Sequence, residues 1–204
     1  LTPYKLAILT IVNKTKKNKL QLASTSSRRQ KILSSLGIDF DVFKVSIDES
    51  QKEGECPSEM VVRLAAEKTL AHKYGRFVLG ADTVIVFDGR IFGKPKNADN
   101  AIEMLLSLSE NEHTVMTGVA LRTPEGMKSL LSKTIVRFRK IQKEEAFSYW
   151  QSGEPVDKAG SYGIQGLGGM FVKSISGSYS GVVGLPVFET VSLLKSAGFN
   201  VFDK

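Results

Sequence analysis

The chain has 204 residues, 42% of them hydrophobic, and a formal net charge of +7. That length and composition suit one domain or two small lobes with an ordinary core, and no run approaches the roughly 18 consecutive apolar residues of a membrane helix. The positive excess narrows the partners to anions, and the single cysteine, Cys56, excludes an intrachain disulfide or a cysteine metal cluster.

Residues 1–18 stand apart from the rest. Leu6 to Val12 is apolar and Asn13 to Lys19 is basic, with the charges on the wrong side for a secretory leader and no small-residue cleavage pattern after them. An edge strand or flexible basic extension is expected there, ahead of one domain over 19–204. At Lys19 the chain reads as a strand that passes through Ser24-Thr25-Ser26-Ser27 into a basic helix start at Arg28-Arg29. Unpaired N–H groups at a helix N-terminus carry the positive end of the helix dipole, and hydroxyls and guanidiniums add donors, so the stretch suits phosphate. The plain alternative is that Ser26 or Ser27 is only a cap and the arginines only a solvated first turn.

The first helix should stop at Gly37, followed by a strand over Phe40 to Val45. From Pro57 to Tyr74, Val61, Leu64, Ala65 and Leu70 recur at helical spacing, with Pro in the first turn and Gly75 past the end. Phe77 to Gly80 reads as a short strand, and Asp88-Gly89 as a hairpin turn between Val84–Phe87 and Arg90–Phe92. Asp82 is then expected between a strand end and a hairpin. Asn97 caps a predicted helix to Leu108, strands follow over His113–Arg122 and Met127–Phe138, and a helix over Lys143–Gln151 stops at Gly153. The last third crowds eight glycines between Gly160 and Gly184 before a final helix from Pro186, which suggests backbone that bends sharply or approaches a ligand. The expected architecture is α/β, a mixed central sheet flanked by helices, with two lobes around a cleft.

Phosphoanhydride chemistry needs neutralising cations, a hard divalent ion and a group that activates water. Arg28, Arg29, Lys68 and Lys94 supply cations. Asp48, Glu49 and Asp82 supply candidate oxygen ligands, although Asp48 and Glu49 also read as solvated loop charges. Asp82, between an apolar strand and Thr83-Val84-Ile85-Val86, would be costly to bury without a partner. Gln165 is the best candidate to read a base, since its amide presents a donor and an acceptor. Glu154, Asp157 and Lys158 read as a network that holds the glycine-rich loop. His72 and His113 have no ligand-like spacing to a partner.

These pieces occur in the order of one family. Leu22-Ala23-Ser24 with Ser27-Arg28-Arg29, Gly80-Ala81-Asp82-Thr83, Gly93-Lys94-Pro95 and Thr117-Gly118-Val119 are followed by Gly153-Glu154-Pro155 with Asp157-Lys158-Ala159-Gly160. Tyr162, Ile164-Gln165-Gly166, Gly177-Ser178-Tyr179 and Val182-Val183-Gly184-Leu185-Pro186 complete the set. Together they resemble the Maf nucleoside triphosphate pyrophosphatases, associated with septum formation, over nearly everything from Lys19 onward.

The resemblance implies an inosine triphosphate pyrophosphatase-like fold around a nucleotide cleft. It also implies hydrolysis between the α and β phosphorus atoms with Mg or Mn, in a cytoplasmic homodimer. It makes Asp82 the general base or metal-linked water activator, Glu49 a metal-site acid with Asp82, and Ser24, Arg28, Arg29, Lys68 and Lys94 substrate contacts. Arg28, Thr83 and Gln165 match the branch that prefers dTTP and UTP and also looks like a house-cleaning activity against modified pyrimidine nucleotides. Ser27 and Gly181 depart from the proline and asparagine usual in the family. The alternatives are an inosine/xanthosine triphosphate pyrophosphatase and a nucleic-acid-binding regulator; against the latter, the basic residues beyond the extension are interleaved with acids and no stacking module is present.

Overall fold

The computed structural model describes residues 19–71 and 76–199. The expected extension over 1–18, His72 and the helix stop at Gly75 lie outside them. In chain order the elements are β1 (Leu20–Leu22), α1 (Ser27–Ser35), β2 (Phe40–Val42), α2 (Pro57–Leu70), β3 (Val78–Phe87), β4 (Arg90–Phe92), α3 (Ala98–Leu108), β5 (Glu112–Thr123), β6 (Gly126–Phe138), α4 (Lys143–Gln151), β7 (Val172–Ser176), α5 (Tyr179–Val183) and α6 (Val187–Ser196). They form a mixed α/β fold on a seven-stranded sheet ordered β2-β1-β3-β5-β6-β7, with β4 also paired to β3. β1 is parallel to β2 and β3, and the remaining pairings are antiparallel.

Several punctuation signals act as read. Gly37 takes φ 69° just after α1, and Asp88 and Gly89 take φ 49° and 69° in the turn between β3 and β4. The Asn97 side chain accepts from the Asn100 N–H at 2.9 Å and caps α3. The expected strand over Phe40 to Val45 is paired only through Val42. β7 and α5, inside the glycine-rich third, carry no periodicity long enough to read from sequence.

One expectation is corrected. Asp82 does not follow a strand end; it lies inside β3, which pairs with β5 without a break from Val78↔Arg122 to Val86↔Thr114. Gly80 and Asp82 are poor strand formers, but α2 lies so close to the sheet that only glycine fits. A Cβ on Gly80 would come within 2.3 Å of the Ala65 carbonyl oxygen, and one on Gly118 within 2.3 Å of that of Val61. Tertiary packing overrides local propensity here.

The opposite edge of β3 is interrupted, and this makes the cleft. β1 pairs with β3 only as far as Leu79, and β4 begins its pairing at Ile85. Between them Asp82 and Thr83 face an open edge. The core divides at the same level: one cluster gathers Leu22, Leu79, Ala81, Val119 and Leu185, the other Ile85, Val115, Val136, Phe138 and Phe171. Thr83 and Thr117, hydrogen-bonded to each other at 3.0 Å, interrupt the apolar stripe between the two.

His113 sits in the second core, 2% exposed, with Nε2 2.8 Å from the Tyr162 hydroxyl and its ring edge-on to Phe138. Burial pushes its pKa down to about 4 from an ordinary 6.5. The unfolded chain therefore binds that proton first, so stability is intact above about pH 6.5 and is lost as the pH falls towards 4. Acidification from pH 7 to 5 should cost the wild type about 2 kcal/mol more than His113→Gln, read from urea unfolding at both pH values. Parallel pH dependence in the two proteins would show that His113 is not the acid-sensitive group.

Candidate active site

The cleft encloses about 910 Å³, and Ser24, Arg28, Arg29, Glu49, Lys68, Asp82, Thr83, Lys94 and Gln165 all line it. Every residue selected from sequence as a site candidate is thus at one place, except Asp48. That carboxylate accepts from the Ser50 N–H at 2.9 Å in an exposed turn. Of the two neighbouring acids, only Glu49 reaches the cleft.

On the α2 face of the sheet, Lys68 joins two carboxylates. Its ammonium nitrogen lies 2.7 Å from Glu49 Oε1 and 2.5 Å from Asp82 Oδ1. Lys68 and Asp82 are each only 8% exposed, so the pairing answers the cost of burying either charge. Burial opposes ionisation of Glu49, but the hydrogen-bonded Lys68 ammonium, with Lys94 and Arg29 beyond it, holds its carboxyl below the usual range.

The loop carrying Glu49 is tied down by Arg63 on α2, which sequence reasoning missed. Its guanidinium grips Glu55 at 2.5 and 2.7 Å, reaches Glu67 at 3.1 Å, and donates to the Ser50 carbonyl at 3.0 Å. Only the i, i+4 spacing of Arg63 and Glu67 was visible in the sequence, and it said nothing of a loop on the other side.

On the opposite wall α1 begins at Ser27, where the family's usual proline would fit the first helical position equally well. Ser26 stands at the cap position, but its side chain takes no first-turn N–H. Those donors remain for an anion. Arg29 is fixed by three acceptors: its Nε donates to the Gly184 carbonyl at 2.8 Å, and its terminal nitrogens to Ser24 Oγ at 3.0 Å and Thr83 Oγ1 at 3.4 Å. Burial lowers its pKa and Asp82 opposes that shift; a guanidinium stays charged under both. Thr117 donates to the Gly181 carbonyl at 2.8 Å, so Thr83 donates to Thr117 and accepts from Arg29. Gly181, the second departure from the family pattern, takes part through its backbone, which a side-chain change leaves in place.

The glycine-rich loop closes the third side. The Glu154 carboxylate accepts from the Tyr149 hydroxyl at 2.7 Å and from the N–H groups of Leu167 and Gly168 at 2.8 and 3.0 Å. A Cβ on Gly166 would meet that carboxylate at 2.2 Å, which explains the glycine beside Gln165. Lys158 donates to the Glu154 carbonyl at 2.6 Å and to Asp157 at 2.7 Å, and Asp157 reaches across to Arg28 at 3.4 Å. This is the loop-holding network expected from sequence. Gln165 itself is exposed, with no hydrogen-bond partner for its amide among the described residues.

Among the described residues no group of three or more His, Cys, Asp and Glu side chains is placed to hold a metal ion. Two carboxylates do suit a hard divalent cation that takes its remaining ligands from phosphate and water. No helix of the described residues is long and apolar enough to cross a membrane.

An α/β protein whose split sheet edge gathers arginines, lysines and a paired set of carboxylates offers a polyanion a ring of cationic contacts beside two acids. The family model described as Maf-like protein matches residues 19–197, and the chain belongs to that family. A dTTP/UTP pyrophosphatase of Colwellia psychrerythraea is 48% identical over 198 residues, covering 93% of each chain. Those of Vibrio vulnificus and Pseudoalteromonas translucida are each 49% identical, over 87% and 88% of this chain and 97% of theirs. Among solved structures, the Staphylococcus aureus Ham1 protein aligns with a TM-score of 0.41 and 13% identity over 59% of this chain and 71% of its own.

Proposed function

We propose that the chain is a nucleoside triphosphate pyrophosphatase that cleaves dTTP and UTP between the α and β phosphorus atoms. The products are the monophosphate and pyrophosphate. The observation that carries this reading is the Lys68 ammonium set between Glu49 and Asp82 at the floor of a cleft ringed by Arg28, Arg29 and Lys94. The names of the relatives support the substrate class. Arg28, Arg29 and Lys94 neutralise the triphosphate, the first turn of α1 donates N–H groups to it, and Asp82 accepts the proton of the attacking water as the bridging oxygen leaves with pyrophosphate. Glu49 and Asp82 would hold Mg or Mn. A bound divalent ion supplies charge neutralisation at the phosphates and a lower pKa for water. The cytoplasm and a homodimer are the setting implied by the resemblance.

The test is product analysis with UTP and dTTP, with and without added Mg or Mn. Pyrophosphate should appear only with metal; orthophosphate would move the cleavage to the terminal bond and overturn the reading.

Gln165 reads the base in this proposal: its amide oxygen accepts from N3–H of uracil or thymine while its NH2 donates to O4. Gln165→Glu sets a second acceptor against O4, so kcat/KM for UTP should fall roughly 10-fold or more, on the scale of a polar group left unpaired. CTP, whose amino group donates at that position, should lose less. Equal losses on UTP, CTP and GTP would give Gln165 a role in holding the loop instead.

A further inference from the structure

Lys68 occupies the space that a divalent ion bridging Glu49 and Asp82 would need. Its nitrogen lies within 2.7 Å of one oxygen of each carboxylate. An ammonium and a hard cation compete for the same lone pairs, and at about 4 Å their mutual repulsion in a half-buried site is large. Both carboxylates are anchored. Asp82 rides on β3, zipped to β5 opposite Gly118, and the Glu49 loop is clamped at the Ser50 carbonyl by Arg63. The backbone of α2 is pressed against Gly80 and Gly118. The Lys68 stem, with its rotatable bonds, is what can move, and it lines the same cleft as Arg28, Arg29 and Lys94.

We infer that Lys68 is a tethered placeholder cation that keeps the divalent site filled until a triphosphate arrives and draws the ammonium away. The inference rests on the pyrophosphatase reading and adds an order of events to it. Without nucleotide the site takes a divalent ion weakly, because Lys68 must be displaced with nothing to receive it. With nucleotide, the phosphates accept the ammonium as the metal takes its place on the carboxylates. Metal and nucleotide then strengthen each other's binding reciprocally. The cleft is thereby protected from filling with metal alone.

The test measures Mn2+ binding to the nucleotide-free, chelator-stripped full chain by the electron paramagnetic resonance signal of the free ion. Lys68→Gln should bind Mn2+ roughly tenfold tighter or more than wild type, since it frees both carboxylates and removes a like charge. Adding Glu49→Gln to that variant should abolish the gain. Lys68→Met serves as a second neutral replacement, and Mn2+ should raise the melting temperature of either variant more than that of the wild type. Binding no tighter in the neutral variants, including no binding in any of them, overturns the placeholder role, as does a gain that survives Glu49→Gln. Wild-type UTP turnover that persists after chelation would instead overturn the metal-dependent reading. Metal-dependent turnover without tighter Mn2+ binding by Lys68→Gln overturns the placeholder alone.

Discussion

Asp82→Asn should lower UTP turnover by roughly 100-fold or more in a protein that still folds. The amide has the shape of the carboxylate but cannot accept a proton from water at neutral pH. The fold should tolerate the change because position 82 is held by backbone pairing with β5, and Lys68 keeps Glu49 as a partner at 2.7 Å. A stranded charge, the usual reason for collapse when a buried pair is broken, is therefore avoided. The measurement is kcat from pyrophosphate release, beside the circular dichroism spectrum and melting temperature of each protein. Turnover near wild type in the folded variant would remove Asp82 from the chemistry.

Arg29→Lys should be nearly as damaging, with kcat/KM for UTP down by roughly 100-fold, although the charge is kept. The guanidinium meets acceptors on three elements of structure: the Gly184 carbonyl, Ser24 and Thr83. Three contacts in one plane fix its remaining N–H groups before substrate arrives, whereas an ammonium on a flexible stem cannot span them. The same anchoring links Arg29 through Thr83 and Thr117 to the turn at Gly181. Thr117→Val should therefore produce a smaller loss of the same kind, seen in the same kcat/KM measurement. A lysine variant within a few-fold of wild type would reduce Arg29 to a point charge.

The fold class and the residues that line the cleft were legible in the sequence, and the strand that carries Asp82 was not. Charged and amide residues beside glycines, such as Asp82 after Gly80 and Gln165 before Gly166, announce themselves because each breaks a local pattern. The same break misled the strand assignment. Gly80-Ala81-Asp82-Thr83 reads as an interruption until α2 is seen pressing on Gly80, a contact between segments that no local window contains. The caps and turns at Gly37, Asp88-Gly89 and Asn97 were readable because each is satisfied by its own neighbours. Arg63 was not, since its work lies in joining Glu55, Glu67 and Ser50 into one clamp. β7 and α5 are short and follow glycine-rich chain: β7 is mostly exposed and is set by its pairing with β6, and α5 by burying Gly181 and Val183, neither of which a local period announces.

The close seat of α2 on Gly80 and Gly118 has a bearing on how this protein can be altered. Replacing glycine with alanine is a common route to a stiffer chain, and both positions would look like good targets to anyone wishing to harden the enzyme. Here the two missing methyl groups set the height of the helix above the sheet. A methyl group in that gap would push α2 away from the sheet, and Lys68, whose ammonium bridges Glu49 and Asp82, would shift with it. The seating of the helix and the spacing of the charges on the cleft floor thus depend on the same ångström of clearance.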